Sequence, residues 1–206
     1  MILFLFLVPY FYHLPSSYGL GHGEYTVDLS LEKDGNVSVG IYVGFFDIVT
    51  VGGSYGGEHI VGEDTVRFLP YPSFYASANI IPEGNIIPAI STGYENRAYN
   101  WDDGVPGIKG RNFFASATKR FYIQMMQLTL SGGISIKRSP GIFFYGDIIY
   151  SDIGGLFCEF LTESNVARFD IGFLIAFDES SLYFTFEDIM AGVFRRGVKI
   201  SIVKFF

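Results

Sequence analysis

Apolar and polar residues alternate along most of this chain with a period of two, the pattern of strands that present one face to an apolar medium and the other to a polar one. Between Met126 and Lys137 the alternation is unbroken. Met126, Leu128, Leu130, Gly132, Ile134 and Ile136 share one face, and Gln127, Thr129, Ser131, Gly133, Ser135 and Lys137 share the other. Residues 167–177 repeat it, with Phe169, Ile171, Phe173, Ile175 and Phe177 opposite Arg168, Asp170, Gly172, Leu174 and Ala176. Residues 24–32 set Tyr25, Val27, Leu29 and Leu31 against Thr26, Asp28, Ser30 and Glu32.

Extended along the chain, the alternation predicts about twelve strands, at 24–32, 36–45, 47–56, part of 65–81, 85–96, 111–121, 125–137, 141–150, 155–163, 167–177, 181–187 and 196–206. An even number of segments close to the nine to eleven residues that a tilted strand needs to cross a bilayer predicts an all-β fold, a transmembrane antiparallel up-and-down β-barrel. The joints are short and rich in turn formers: Lys33-Asp34-Gly35-Asn36, Pro82-Glu83-Gly84, Ser139-Pro140-Gly141, 152–155 and 178–180. Two stretches break the meander. Residues 96–110 form the longest unpatterned loop, and 187–195 predict a helical turn.

Composition sharpens the choice of surroundings. Charged residues make up only 17% of the chain, against the roughly one quarter expected of a soluble domain, and 22 Phe and 14 Tyr accompany 25 Gly. A lipid-facing surface accounts for the shortage of charge. A soluble periplasmic β-sandwich carrying lipid or glycan is the alternative, although sandwiches still charge their outer faces. Helical spans are excluded, because no run of 18 or more apolar residues occurs. The net charge of -7 argues against a nucleic-acid partner. Tyr10, Tyr71, Tyr94, Tyr99, Trp101, Phe121, Tyr122, Tyr150 and Phe177 suit interfacial girdles near strand ends, Tyr10 dropping out if the leader is cleaved.

Residues 1–22 read as a signal peptide. An apolar run from Met1 to Val8 leads to the small-residue stretch Pro15-Ser16-Ser17-Tyr18-Gly19, with cleavage expected between Ser17 and Gly23 and no basic n-region. The remaining 23–206 form the barrel. In the last strand Val198, Ile200, Ile202, Lys204 and Phe206 face outward, and Lys199 and Ser201 inward. Ile200, Ile202 and terminal Phe206 resemble the C-terminal signal read by the outer-membrane insertion machinery, which implies a complete chain ending at the barrel seam.

Several segments resemble a poorly characterised family of outer-membrane barrels related to the YjbH-type proteins associated with exopolysaccharide. They are Gly52-Gly53-Ser54-Tyr55-Gly56-Gly57 with Ile60-Val61-Gly62, the run from Pro88 to Glu95, Ser116 to Phe121, and Phe157 to Phe160. Residues 66–73 depart from the family's more basic and polar sequence there. The resemblance implies a bacterial outer-membrane location among lipids and lipopolysaccharide, and a candidate envelope-polysaccharide partner. It supplies no catalytic motif.

Parity places ten charged residues inside the barrel: Asp28, Glu95, Arg120, Asp147, Glu159, Glu163, Arg168, Asp170, Glu187 and Lys199. Buried charges need partners, so a salt-bridged lumen network is the first expectation. The second is a narrow pore or ligand cavity whose acidic excess favours cations or hydroxyl-rich solutes. Inward Tyr75, Phe143, Tyr145, Phe157 and Tyr183 narrow any channel. Enzymatic chemistry on lipid is the weakest reading: Ser54 and His59 lack a nucleophile-elbow context, and no cofactor is implied. Asp102 and Asp103 with Glu95 and Asn96 offer oxygen ligands for Ca²⁺, but in a Gly/Pro loop adjacent carboxylates are ordinarily solvated, so no metal is expected. The Gly pairs at 52–53 and 56–57 precede no helix and bind no phosphate. They fit close strand packing or a tight barrel bend. Cys158 falls on the outward face.

Overall fold

A computed structural model describes residues 14–205 except 33–34, 63, 70, 97–111, 137–139, 152, 164–165, 178–179, 188 and 190–194. Its strands are β1 (Glu24–Leu31), β2 (Val37–Phe45), β3 (Val49–Glu58), β4 (Arg67–Phe68), β5 (Ser73–Ile81), β6 (Ala89–Glu95), β7 (Asn112–Ile123), β8 (Met126–Ile136), β9 (Pro140–Tyr150), β10 (Gly154–Glu163), β11 (Val166–Phe177), β12 (Ser180–Glu187) and β13 (Arg195–Phe205). Each long strand pairs antiparallel with its neighbours in sequence, and β1 pairs with both β2 and β13. The ring is therefore closed by twelve strands. β4 stands outside it, paired only with the end of β3. Closure leaves no free edge and rules out the β-sandwich, which needs two separate sheets.

The seam joins Glu24 to Phe205 through Leu31 to Val198. Both chain termini of the ring lie at one end, here called the turn end. There β2 and β3 join through Phe46 and Asp47, both at positive φ (56° and 57°), the geometry of a type I′ hairpin. The opposite, loop end carries the two longest connections, 59–72 and 96–111. Of the two interruptions in the meander, 97–111 lies outside the described residues, as does nearly all of the expected helical turn after Glu187.

The strand faces separate as the alternation requires. Leu29, Ile41, Leu130, Ile134, Phe144, Ile148, Leu156, Ile171, Ile200 and Ile202 are exposed on the outside, as Cys158 is. Phe121, Tyr122, Tyr150 and Phe177 are exposed in a girdle at the turn end. A contiguous apolar surface of this extent is a lipid-facing belt.

Inside, the packing obeys a rule that single-strand patterns do not reveal. Tyr42, Phe114, Phe143 and Phe157 each sit directly opposite a glycine on the adjacent strand: Gly52, Gly93, Gly133 and Gly172. A Cβ at Gly133 would stand 2.2 Å from the Phe143 ring, and one at Gly172 would stand 2.5 Å from Phe157. Each ring thus folds down onto a bare patch of backbone. This gives Gly52 a packing role of the kind expected from its spacing.

Candidate functional site: the barrel lumen

The lumen has two chemically different walls. One is formed by β10 to β13 and β1 and carries charge. Arg168 on β11 donates to Asp170 at 2.8 Å and to Glu187 of β12 at 3.1 Å. Lys199 of β13 lies 3.1 Å from Asp28 of β1, across the seam, and the Ser201 hydroxyl donates to the same carboxylate at 2.6 Å. Glu159 and Asp170 are opposite one another on β10 and β11, both buried. Arg168 with Asp170 and Glu187 forms a triad and Lys199 with Asp28 a pair, and such partners offset the cost of burying these charges.

The other wall, from β6 to β8, is lined mainly by hydroxyls. Ser91, Ser116, Thr118, Thr129 and Ser131 are all buried; Ser91 bonds Ser116 at 2.8 Å and Thr118 bonds Ser131 at 2.7 Å. Beside it, Gln127 donates to Thr129 at 3.2 Å, while its carbonyl oxygen and one oxygen of Asp147 are buried without a hydrogen-bond partner. Thr129 pairs across the sheet with both Arg120 and Asp147, which brings these groups into one neighbourhood. Rings cross the middle of the lumen in two arcs. Tyr42, Tyr75 and Phe114 are successive neighbours at 5.7 and 5.9 Å, and Tyr145, Phe157 and Tyr183 at 6.2 and 5.8 Å. Leu174, Leu14 and Leu20 pack into the same cluster.

Leu14 and Leu20 belong to no barrel strand. They mark a segment, Leu14–Gly23, that enters the lumen from the turn end and lies along the hydroxyl wall. Ser17 donates to Ser116 at 2.8 Å, and the Leu20 amide donates to Thr50 of β3 at 2.9 Å. The Tyr18 ring lies under the Arg120 guanidinium at 4.0 Å, and its hydroxyl donates to Glu83 at 2.8 Å. Glu83 belongs to the β5–β6 turn. β6 ends its pairing with β7 at Thr118, so the Arg120 amide has no strand partner on that side; Glu83 accepts from it at 2.8 Å and from the Arg120 side chain at 3.0 Å. Burial acts to raise the Glu83 pKa, but these donors outweigh it and hold the carboxyl below its ordinary range. Neither Glu83 nor the seated segment is legible as a lumen group, since one reads as a turn residue and the other as a leader.

Of the ten charges placed inside by parity, Asp28, Glu95, Asp147, Glu159, Asp170, Glu187 and Lys199 are buried, and Arg120 and Arg168 are half-buried with lumen partners. Glu95, completely buried at the loop end of β6, lies away from the seam network. The Glu163 side chain and Phe206 lie outside the described residues, as do Asp102 and Asp103. His59 stands 3.8 Å from Asp64 in the loop after β3. Among the described residues no group of three or more His, Cys, Asp or Glu could hold a metal ion.

No family model matches the sequence, and no curated protein matches it. Solved structures do match its shape. The KdgM porin superposes with a TM-score of 0.54 at 10% identity, covering 89% of this chain and 99% of that one. The KdgM porin in complex with disordered oligogalacturonate gives 0.54 at 11% identity, with the same coverage. The fold is that of an outer-membrane barrel. With the apolar belt and aromatic girdle it places the chain in the outer membrane, spanning it with twelve strands.

Proposed function

We propose that this chain is a narrow, non-enzymatic outer-membrane pore with an acidic lumen, exported by a leader within residues 1–22 whose removal clears the passage. The observation that carries this reading is the seating of Leu14–Leu20. The segment fills the lumen along the hydroxyl wall yet forms none of the ring's strands, so its departure opens a polar path without breaking the barrel. Among the ten charges placed inside by parity, those with described side chains are six carboxylates and three cations. That balance favours cations and neutral solutes. It also distinguishes the lumen from one suited to oligogalacturonate, the ligand in one of the matched structures, because each uronate adds a negative charge.

Ile200, Ile202 and Phe206 are proposed as the insertion-machinery signal, and outer-membrane lipids and lipopolysaccharide as the partners of the belt. The YjbH-type resemblance supports a role beside envelope polysaccharide. The test is single-channel recording of the exported protein in planar bilayers. Small cation-selective steps are expected; no conductance at any voltage refutes the pore.

A further inference from the structure

We propose that the β6–β9 wall of the lumen is a binding track for a neutral oligosaccharide. This rests on the proposed departure of the N-terminal segment and names the solute class of the same lumen.

The first observation is the seated segment itself. Ser17 shows that the wall accepts a chain through hydroxyl contacts, at Ser116 and Thr118, with the Arg120 plane against the flat face of Tyr18. A sugar chain presents the same combination: rows of hydroxyls that donate and accept, and flat C–H faces that lie against planar groups.

The second observation is independent. The Gln127 carbonyl and one Asp147 oxygen are acceptors on residues 5% exposed, facing the lumen on adjacent strands beside Thr129, and neither has a donor. Buried acceptors are ordinarily satisfied, and leaving one unmade is costly. Tyr145 and Thr129 bond the Asp147 carboxyl but leave its Oδ1 and the Gln127 carbonyl open. A ligand rich in hydroxyls supplies the donors, while Ser116, Thr118 and Arg120 donate in return.

The third is charge. Four of the lumen carboxylates, Asp28, Glu159, Asp170 and Glu187, stand on the opposite wall with Arg168 and Lys199. A polyanionic sugar meets net repulsion across the lumen, whereas a neutral one does not.

The exported protein, purified in detergent with its N-terminus read by mass spectrometry, is titrated calorimetrically with maltohexaose and with hexagalacturonate. Saturable heat with maltohexaose and none with the uronate is expected. Gln127→Met removes the acceptor at similar volume and should weaken maltohexaose binding about five- to tenfold, the worth of one hydrogen bond. Ile134→Val, on the lipid-facing side of β8, should leave it unchanged. The uncleaved chain, refolded with residues 1–22 in place, should not bind. Absence of maltohexaose heat in the exported protein, equal binding by Gln127→Met, or stronger binding of the uronate each overturns the track. Binding without conductance would retain the track and refute the pore; conductance without binding does the reverse.

Discussion

Replacing Lys199 by Met should loosen the barrel at the seam where it closes. In the β13–β1 register Lys199 stands opposite Ser30 and Ser201 opposite Asp28, so the 3.1 Å contact between Lys199 and Asp28 is a diagonal tie between the first and last strands. Burial decides its size. An exposed ion pair contributes about 0–1 kcal/mol, but the Lys199 side chain is 1% exposed and that of Asp28 7%. Met preserves the length of the side chain and removes the charge, which leaves Asp28 with the Ser201 hydroxyl and no cation at that position. Stranding a buried charge in this way costs about 3–5 kcal/mol. The double variant Lys199→Met/Asp28→Asn strands nothing, keeps an acceptor for Ser201, and should recover about 2 kcal/mol or more of that loss. Urea titration in phospholipid vesicles, followed by the mobility of unheated protein on gels and by far-ultraviolet circular dichroism, measures all three stabilities. Lys199→Met within about 0.5 kcal/mol of the parent, or a double variant as unstable as the sum of its singles, would refute a seam held by this pair.

The belt predicts a dependence on depth. Leu130→Arg, mid-strand on β8, should cost about 2–4 kcal/mol in the same vesicles, and Ile136→Arg, at the loop end of that strand, about 0–1 kcal/mol; equal costs would refute the assigned lipid face. Gly133→Val should destabilise by about 1–3 kcal/mol, because its Cβ would meet the Ala115 carbonyl at 2.4 Å as well as the Phe143 ring, and backbone cannot step aside. Gly146→Ala, with nothing nearer than 3.6 Å, should stay within about 0.5 kcal/mol. Glu83 has a lowered folded pKa, so its contribution is complete above the ordinary carboxylate value of 4.5 and is lost as pH falls through the folded value. Stability of the uncleaved chain should drop over that acidic window, and Glu83→Gln should flatten the drop; an unchanged slope in the variant would refute the assignment.

The ring was legible because alternation survives in nearly every strand. Residues 126–137 and 167–177 differ from β8 and β11 by a residue at most at either end, since lipid outside and polar groups inside leave each position only one tolerable face. The stretch 65–81 was harder to read. It divides into β4 and β5, and Arg67–Phe68 is too short to carry a period. The lumen was legible in its parity and illegible in its partners. Asp28 and Lys199 each point inward by alternation, but that they meet depends on the closing register, which no single strand encodes. Tyr42 and Phe114 as lumen rings follow the same logic, because their seats, Gly52 and Gly93, come from neighbouring strands.

The asymmetry of the lumen has a simple origin in that register. Closing the ring sets β1 beside β13, which collects Asp28, Lys199, Arg168, Asp170 and Glu187 on consecutive strands, whereas the strands from β6 to β8 bring in only Glu95 and Arg120 as inward charges with described side chains. Arg120 is then drawn out of the hydroxyl wall's balance by Glu83, a turn residue that closes an unpaired backbone donor. What remains along Ser91, Ser116, Thr118, Thr129 and Ser131 is neutral, hydrogen-bonding and wide enough for a chain, because Ser17 already lies against it. Under the proposed removal of the leader, a filled lumen in the uncleaved chain and a passage in the exported one are two states of one barrel, separated by a segment that contributes no strand to the ring.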